Sequence, residues 1–302
     1  MSKMLFEEFT KNVAEQIKAF LPERFADADV ELKIVTKNND LKLTGLTIKA
    51  VDSNIAPTIY LERFYEEYKD GKDMDKILQK IADFRIENDA PAGLDVDQLK
   101  DFERIKDKLV PHIISLALNE ELLEDRPHRV IEDLAVTYYV VLDRCKDGTA
   151  GVAVTHNIMD CWGVSLEDID RAAVMNLQKS ERSELKSLTA VLAGMCGEGF
   201  SDILPEDCGM YVLSNEHNLY GAAALLDERM MAHIYEKFDG EFFMIPSSVH
   251  EWIVLPKSIG AFDGNNLAAM IREVNATQVS HEDRLSDHAY TYSIEHGLKS
   301  AV

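Results

Sequence analysis

Cysteine is scarce: four residues in 302, Cys145, Cys161, Cys196 and Cys208, with no CxxC spacing among them. A small disulfide scaffold is excluded, and free thiols in a reducing compartment are the expectation. Fifteen glycines and eight prolines are too few for a collagen-like repeat or a long low-complexity linker. Long apolar runs are missing as well. The opening Met1-Ser-Lys-Met-Leu-Phe-Glu-Glu-Phe is interrupted by Glu7 and Glu8, whereas a signal peptide needs an apolar core of about 7–15 residues and a membrane span needs about 20. The sequence therefore reads as cytoplasmic, with no membrane association expected.

Positive charge is the remaining shortage. Lys and Arg number 32 against 54 Asp and Glu, a formal net charge of −22. Residues 1–50 carry eight basic and eight acidic side chains, so the whole excess lies in residues 51–302, where 24 basic face 46 acidic. Binding to DNA or RNA needs a basic face that replaces condensed counterions. No stretch here concentrates Lys and Arg with aromatics, so direct nucleic-acid binding is not expected. An acidic surface keeps a chain soluble, and it also suits a partner protein with a basic surface.

What is present is enough apolar material, 46% of the residues, to bury sizeable cores. Leu5, Phe6, Phe9, Val13, Ile17 and Phe20 recur at helical spacing, and Pro22 ends that helix. Val30–Val35 alternates like a strand, Lys37-Asn38-Asn39-Asp40 is a turn, and Leu41–Ile48 returns as the second arm of a hairpin. Helices are predicted at 60–69 and 73–88, with Asp73 as a cap. Asn88–Gly93 reads as a linker, followed by a helix at 95–107. Beyond it, apolar runs alternate with helices. Strands are predicted from His112, Leu134, Gly151, Met210, Gly221, Phe242 and Trp252, with Asn157 or Ser165 as caps of intervening helices. The expected fold is α+β: an N-terminal helix–hairpin–helix unit over residues 1–92, then a mixed or antiparallel sheet covered by helices over 93–302.

Side chains that suggest chemistry are few. Ile245-Pro-Ser247-Ser248-Val-His250-Glu251 places a serine, a histidine and a carboxylate between two strands, the residue types of nucleophilic hydrolysis. Run as an extended segment, it sends Ser248 and His250 to one face and Glu251 to the other, and no GxSxG elbow accompanies it. A turn in which the serine hydroxyls serve backbone groups explains the same residues. His281, Asp283, Asp287 and His288 lie close together without the spacing of a metal motif. Gly194-Met-Cys-Gly197-Glu-Gly199 lacks the Lys-Ser/Thr ending of a phosphate loop, and Glu198 opposes an anion. No metal and no cofactor is expected.

The stretches Lys37-Asn-Asn-Asp-Leu-Lys-Leu-Thr-Gly, Phe64-Tyr-Glu-Glu-Tyr-Lys-Asp-Gly, Glu121-Leu-Leu-Glu-Asp-Arg-Pro-His-Arg, Glu132-Asp-Leu-Ala-Val-Thr-Tyr-Tyr, Pro246-Ser-Ser-Val-His-Glu and Leu285-Ser-Asp-His-Ala-Tyr-Thr-Tyr follow one another along nearly the full length. In them the chain resembles an uncharacterised family of Gram-positive gut bacteria, a domain of unknown function. It implies no activity, cofactor or site residue. The leading expectation is a non-catalytic interaction protein with an acidic partner-binding surface. One alternative is an inhibitor that mimics nucleic acid to block a defence or DNA-binding protein. Another is a serine hydrolase-like enzyme using Ser248 and His250.

Overall fold

The computed structural model describes residues 4–51, 53, 56–88, 96–145, 148–179, 181–196, 208–260 and 262–302. The chain divides into two compact units, Met1–Lys37 with Leu41–Leu99, and Asn38–Asp40 with Lys100–Val302. Of the predicted linker, residues 89–93 lie outside the described residues, as do Gly197, Glu198 and Gly199 of the glycine cluster.

The first unit opens with helix α1 (Phe6–Gln16), continued by a tight turn of helix at Ile17–Phe20. The predicted stripe becomes its buried face: Phe9, Val13 and Ile17 are fully enclosed. Strands β1 (Asp29–Thr36), β2 (Lys42–Lys49) and β3 (Thr58–Tyr60) form an antiparallel sheet in that order. Helices α2 (Glu62–Lys69) and α3 (Met74–Glu87) follow, and the Asp73 carboxylate caps α3 by accepting the Asp75 N–H. Leu46, Ile48, Ile59, Leu61, Phe64, Ile77, Leu78 and Ile81 close the core against α1. Arg85 is buried in it, its Nε donating to the Ile48 carbonyl at 2.8 Å and its guanidinium lying 4.8 Å from the Phe25 ring centre. A charge in this position is held by a backbone oxygen and an aromatic face.

A single helix is predicted at 95–107, a range that spans the boundary between the units at Leu99 and Lys100. The chain instead breaks into a turn of helix at Val96–Lys100, the short helix α4 (Phe102–Ile105) and another turn at Lys106–Lys108. The Asp101 carboxylate accepts the Glu103 N–H at 3.1 Å and restarts the helix. Strand β4 (Leu109–Ser115), helix α5 (Glu120–Glu124), and strands β5 (Arg129–Ile131), β6 (Leu134–Cys145) and β7 (Gly148–Ala153) come next, β6 pairing with each of the others in an antiparallel four-stranded sheet. Helix α6 (His156–Trp162) is capped by Thr155 and not by Asn157, which lies inside it; α7 (Leu166–Leu177) has Ser165 as its cap, with Asp168 completing a capping box. Tyr138 of β6 donates to the Asp170 carboxylate of α7 at 2.8 Å. Burial first, and then that carboxylate, push the Tyr138 phenol far above its usual range.

Strand β8 (Ser183–Ser187), helix α8 (Leu188–Cys196), strand β9 (Tyr211–Asn215), helix α9 (Glu228–Lys237), strands β10 (Phe242–Ser248) and β11 (Glu251–Pro256), helix α10 (Gly264–Thr277) and strands β12 (Tyr290–Ser293) and β13 (Gly297–Ser300) complete the unit. They build a second antiparallel sheet in the order β13-β12-β10-β11-β9-β8. Leu267 and Ile271 of α10 pack on Phe243 and Leu255 of this sheet. The fold class is α+β, and every described pairing in both sheets is antiparallel.

Gly221–Leu226 departs from its predicted strand. It is a buried turn of 3-10 helix in which all six residues are enclosed. Three alanines and a glycine lack the β-branched or aromatic surface that a strand packs with. Their small size lets the backbone itself pass through the interior beside β9 and β11.

Candidate functional site

Ser248, His250 and Glu251 sit at the tip of the β10–β11 hairpin. The segment turns there and does not run on extended. Ser248 and Glu251 form the last cross-strand pair, and a register shift between Pro246 and Ser248 sets Ser247 apart. Proline has no N–H to offer the ladder, which favours an irregularity at this point. Val249 and His250 make the tip.

The three sequence candidates do not share hydrogen bonds in the manner of a catalytic triad. The Ser248 hydroxyl oxygen accepts the backbone N–H of His250 at 3.1 Å. Glu251 accepts instead from the Ser247 hydroxyl at 3.0 Å. The His250 imidazole turns to partners from elsewhere in the chain. Its Nδ1 accepts the backbone N–H of Tyr220 at 3.0 Å, and its Nε2 lies 3.2 Å from Asp283 Oδ1. With an N–H pointing at Nδ1, the ring proton belongs on Nε2, which donates to the carboxylate. Asp283 is fixed in turn by Ser280, whose hydroxyl donates to Oδ2 at 2.7 Å and accepts the Asp283 N–H at 3.3 Å.

The backbone of the tip is equally committed. The Val249 N–H donates to the Asp283 carbonyl at 2.9 Å, the Ser214 hydroxyl donates to the His250 carbonyl at 2.8 Å, and the Ala222 N–H donates to the Val249 carbonyl at 3.2 Å. Trp252, fully buried on β11, donates its indole N–H to the Ala222 carbonyl at 2.8 Å. The hairpin tip is thus stitched to the turn Gly221–Leu226 and to the segment Ser280–Asp283.

Tyr220 joins this hub to a row of rings that the sequence did not announce. Its ring stacks on His112 at 3.8 Å between centres, and His112 stacks on Tyr139 at 4.2 Å. The Arg126 guanidinium lies 5.7 Å from the Tyr139 centre. Tyr220 itself has φ of 53°, a left-handed conformation that costs a bulky residue energy and persists where surroundings hold it. Here the stack holds the ring, and His250 holds the N–H. His112 and Tyr139 lie one step apart across the β4–β6 ladder, where Val110 pairs with Tyr139 and His112 with Thr137, so the two rings share a face.

The four C-terminal residues weighed as metal ligands go to different partners. His281 Nε2 is 3.0 Å from the Asn39 carbonyl, Asp283 serves His250, Asp287 accepts from Asn275 at 2.8 Å, and His288 Nδ1 is 3.1 Å from the Ser286 hydroxyl. Among the described residues no group of three or more His, Cys, Asp or Glu side chains is placed to hold a metal ion. Nor is any helix among them long and apolar enough to cross a membrane.

No curated protein and no solved structure matches this chain. A family does: residues 6–294 of the 302 match the family of unknown function DUF5688, to which the chain belongs.

Proposed function

We propose that this chain is a non-catalytic interaction protein that meets a partner with a basic surface through its acidic side chains. The commitment of the His250 imidazole carries the reading. Both ring nitrogens are taken, one by the Tyr220 N–H and one by Asp283, and the Ser248 hydroxyl faces a backbone amide. A general base needs a free nitrogen within reach of the nucleophile's proton. The arrangement suits a fixed support for the hairpin tip.

Charge supports the second half of the reading. Many cations are already spent within the chain: Lys69 on Glu66 at 2.6 Å, Lys72 and Lys80 on Glu67 at 2.8 and 2.9 Å, Arg171 on Glu167 at 3.0 Å, and Lys257 on Glu241 at 2.8 Å. Exposed pairs of this kind add little stability, but they leave the acidic excess of 22 unneutralised. Such a surface steers a basic partner at moderate ionic strength.

The test uses one preparation and two readouts. A fluorophosphonate probe at neutral pH should leave the chain unlabelled; stoichiometric labelling of Ser248 that disappears in His250→Ala would make the protein a hydrolase. Capture from an extract of the source organism should retain a basic protein at low salt and release it by about 0.5 M, where screening shortens to a few ångströms. A partner that stays bound through that salt step would count against an electrostatic surface.

A further inference from the structure

A second titratable cluster lies in the same unit, on the short turn between β5 and β6. Ile131 pairs with Leu134, so Glu132 and Asp133 form a two-residue connection, with Glu132 in the left-handed region at φ of 53°. Both carboxylates meet partners from the segment that carries β12 and β13. Glu132 takes the Lys299 ammonium of β13 at 2.8 Å, and that contact, ahead of any other influence, holds its carboxyl below the usual range. Asp133 Oδ1 accepts the Tyr290 hydroxyl at 2.7 Å and lies 3.7 Å from His288 Nε2.

That last distance is the informative one. His288 Nε2 is buried and has no hydrogen-bond partner, although a carboxylate oxygen stands just beyond bonding range. The other nitrogen, Nδ1, is 3.1 Å from the Ser286 hydroxyl, whose oxygen also accepts the His288 N–H at 3.4 Å. Asn275 of α10 fixes the segment by donating to the Ser286 carbonyl at 3.0 Å and to Asp287 at 2.8 Å. The order Ser286, His288, Asp133 resembles a nucleophile, base and orienter. Yet Ser286 is buried, and its hydroxyl is already engaged by the His288 ring and backbone N–H.

We propose that His288 and Asp133 form a proton-operated clasp, in which the imidazolium closes its Nε2–H onto the Asp133 carboxylate and fastens the β5–β6 turn to the start of β12. Addition of one proton from solvent gives both ring nitrogens a hydrogen. Nδ1–H then has the Ser286 oxygen as acceptor, and Nε2–H has Asp133. The charged groups at this turn are Asp133, 3.7 Å from the ring, Glu132 with its Lys299 partner from β13, and Asp287, which is bonded to Asn275; the Tyr290 ring lies 4.7 Å from the imidazole. The clasp holds where the ring carries both protons and opens as rising pH removes the second one.

Amide hydrogen exchange on the intact chain tests this. The readouts are Leu116, whose N–H is bonded to the Asp133 carbonyl at 2.9 Å, and Leu134 at the end of the turn. Protection factors, corrected for intrinsic exchange, should be about tenfold higher near pH ~5.5 than near pH ~7.5, the scale of one charge-assisted hydrogen bond. In His288→Gln and in Asp133→Asn, which keeps an acceptor for Tyr290, the protection of these two amides should no longer depend on pH. Imidazole nitrogen shifts in the unaltered chain give a check that needs no variant: both His288 nitrogens should become protonated across the same interval as the protection change. A wild type without pH-dependent protection, or a variant that keeps it, overturns the clasp.

Discussion

Gly221→Ala should destabilise the second unit by about 3–4 kcal/mol, which for a unit of this size lowers its melting temperature by roughly 10 °C. Gly221 lies where the 3-10 turn passes under the hairpin tip. A Cβ there would overlap the Ser214 hydroxyl and stand 2.5 Å from the His250 carbonyl oxygen and 2.7 Å from the Asn215 nitrogen. Two of these three neighbours are backbone, so rotating one side chain cannot relieve the clash. The methyl must push the turn away from β9 or push the hairpin outward. Either movement loosens the Ser214–His250 bond and the Tyr220 N–H contact to His250. Adding Ser214→Ala removes the side-chain part of the conflict, so the double variant should recover less than half of the loss. Both tryptophans, Trp162 and Trp252, belong to the second unit, so their fluorescence in a urea titration reads its unfolding. A loss below about 1 kcal/mol would mean that the turn does not pass this close to His250.

The parts of this fold that were legible in the sequence are those where a strong local pattern meets its simplest use. The Phe9–Val13–Ile17 stripe, the hairpin around Asn38–Asp40 and the Asp73 cap each state their structure in a few neighbouring residues. The strand at Leu134 was legible because β-branched and aromatic residues run through it without interruption. Ser183–Ser187 was not, since β8 is the outer strand of its sheet and its Ser, Glu and Lys side chains carry no apolar alternation. The run Gly221–Leu226 misled because apolar content signals burial, and burial alone does not select strand over helix. The candidate site divides the same way. Ser248, His250 and Glu251 could be picked out as residue types. Their actual partners, Tyr220 and Asp283, come from distant segments, and which nitrogen meets which partner is decided by packing. The stack of Tyr220 on His112 left no mark in the sequence, because nothing local says that a tyrosine will occupy a left-handed backbone.

Asn39 is where a one-atom change should tell the most. It belongs to the second unit, is 3% exposed and holds φ of 58° and ψ of 37°. Its own N–H donates to Asn119 Oδ1 at 2.7 Å, while Asn119 Nδ2 donates back to Asn39 Oδ1 at 2.9 Å. The Asn39 amide nitrogen gives both hydrogens to backbone carbonyls, His281 at 2.6 Å and Arg284 at 2.8 Å. Every polar atom of a buried side chain is thus matched. Asn39→Gly keeps the backbone at ease and loses three bonds, which at about 0.5–1.5 kcal/mol each, before any cost of stranded carbonyls, comes to roughly 2–4 kcal/mol. Asn39→Ala adds the left-handed penalty of about 1 kcal/mol that asparagine largely escapes. Asn39→Asp has nearly the same shape but sets a carboxylate oxygen against the His281 and Arg284 carbonyls, replacing two attractions by two repulsions around a buried charge. Tryptophan-monitored urea unfolding should therefore rank the losses as glycine, then alanine, then aspartate, with aspartate losing about 4 kcal/mol or more. Should aspartate prove no worse than glycine, the amide does not face those two carbonyls. Should alanine match glycine, the left-handed turn at Asn39 is not held in the folded protein.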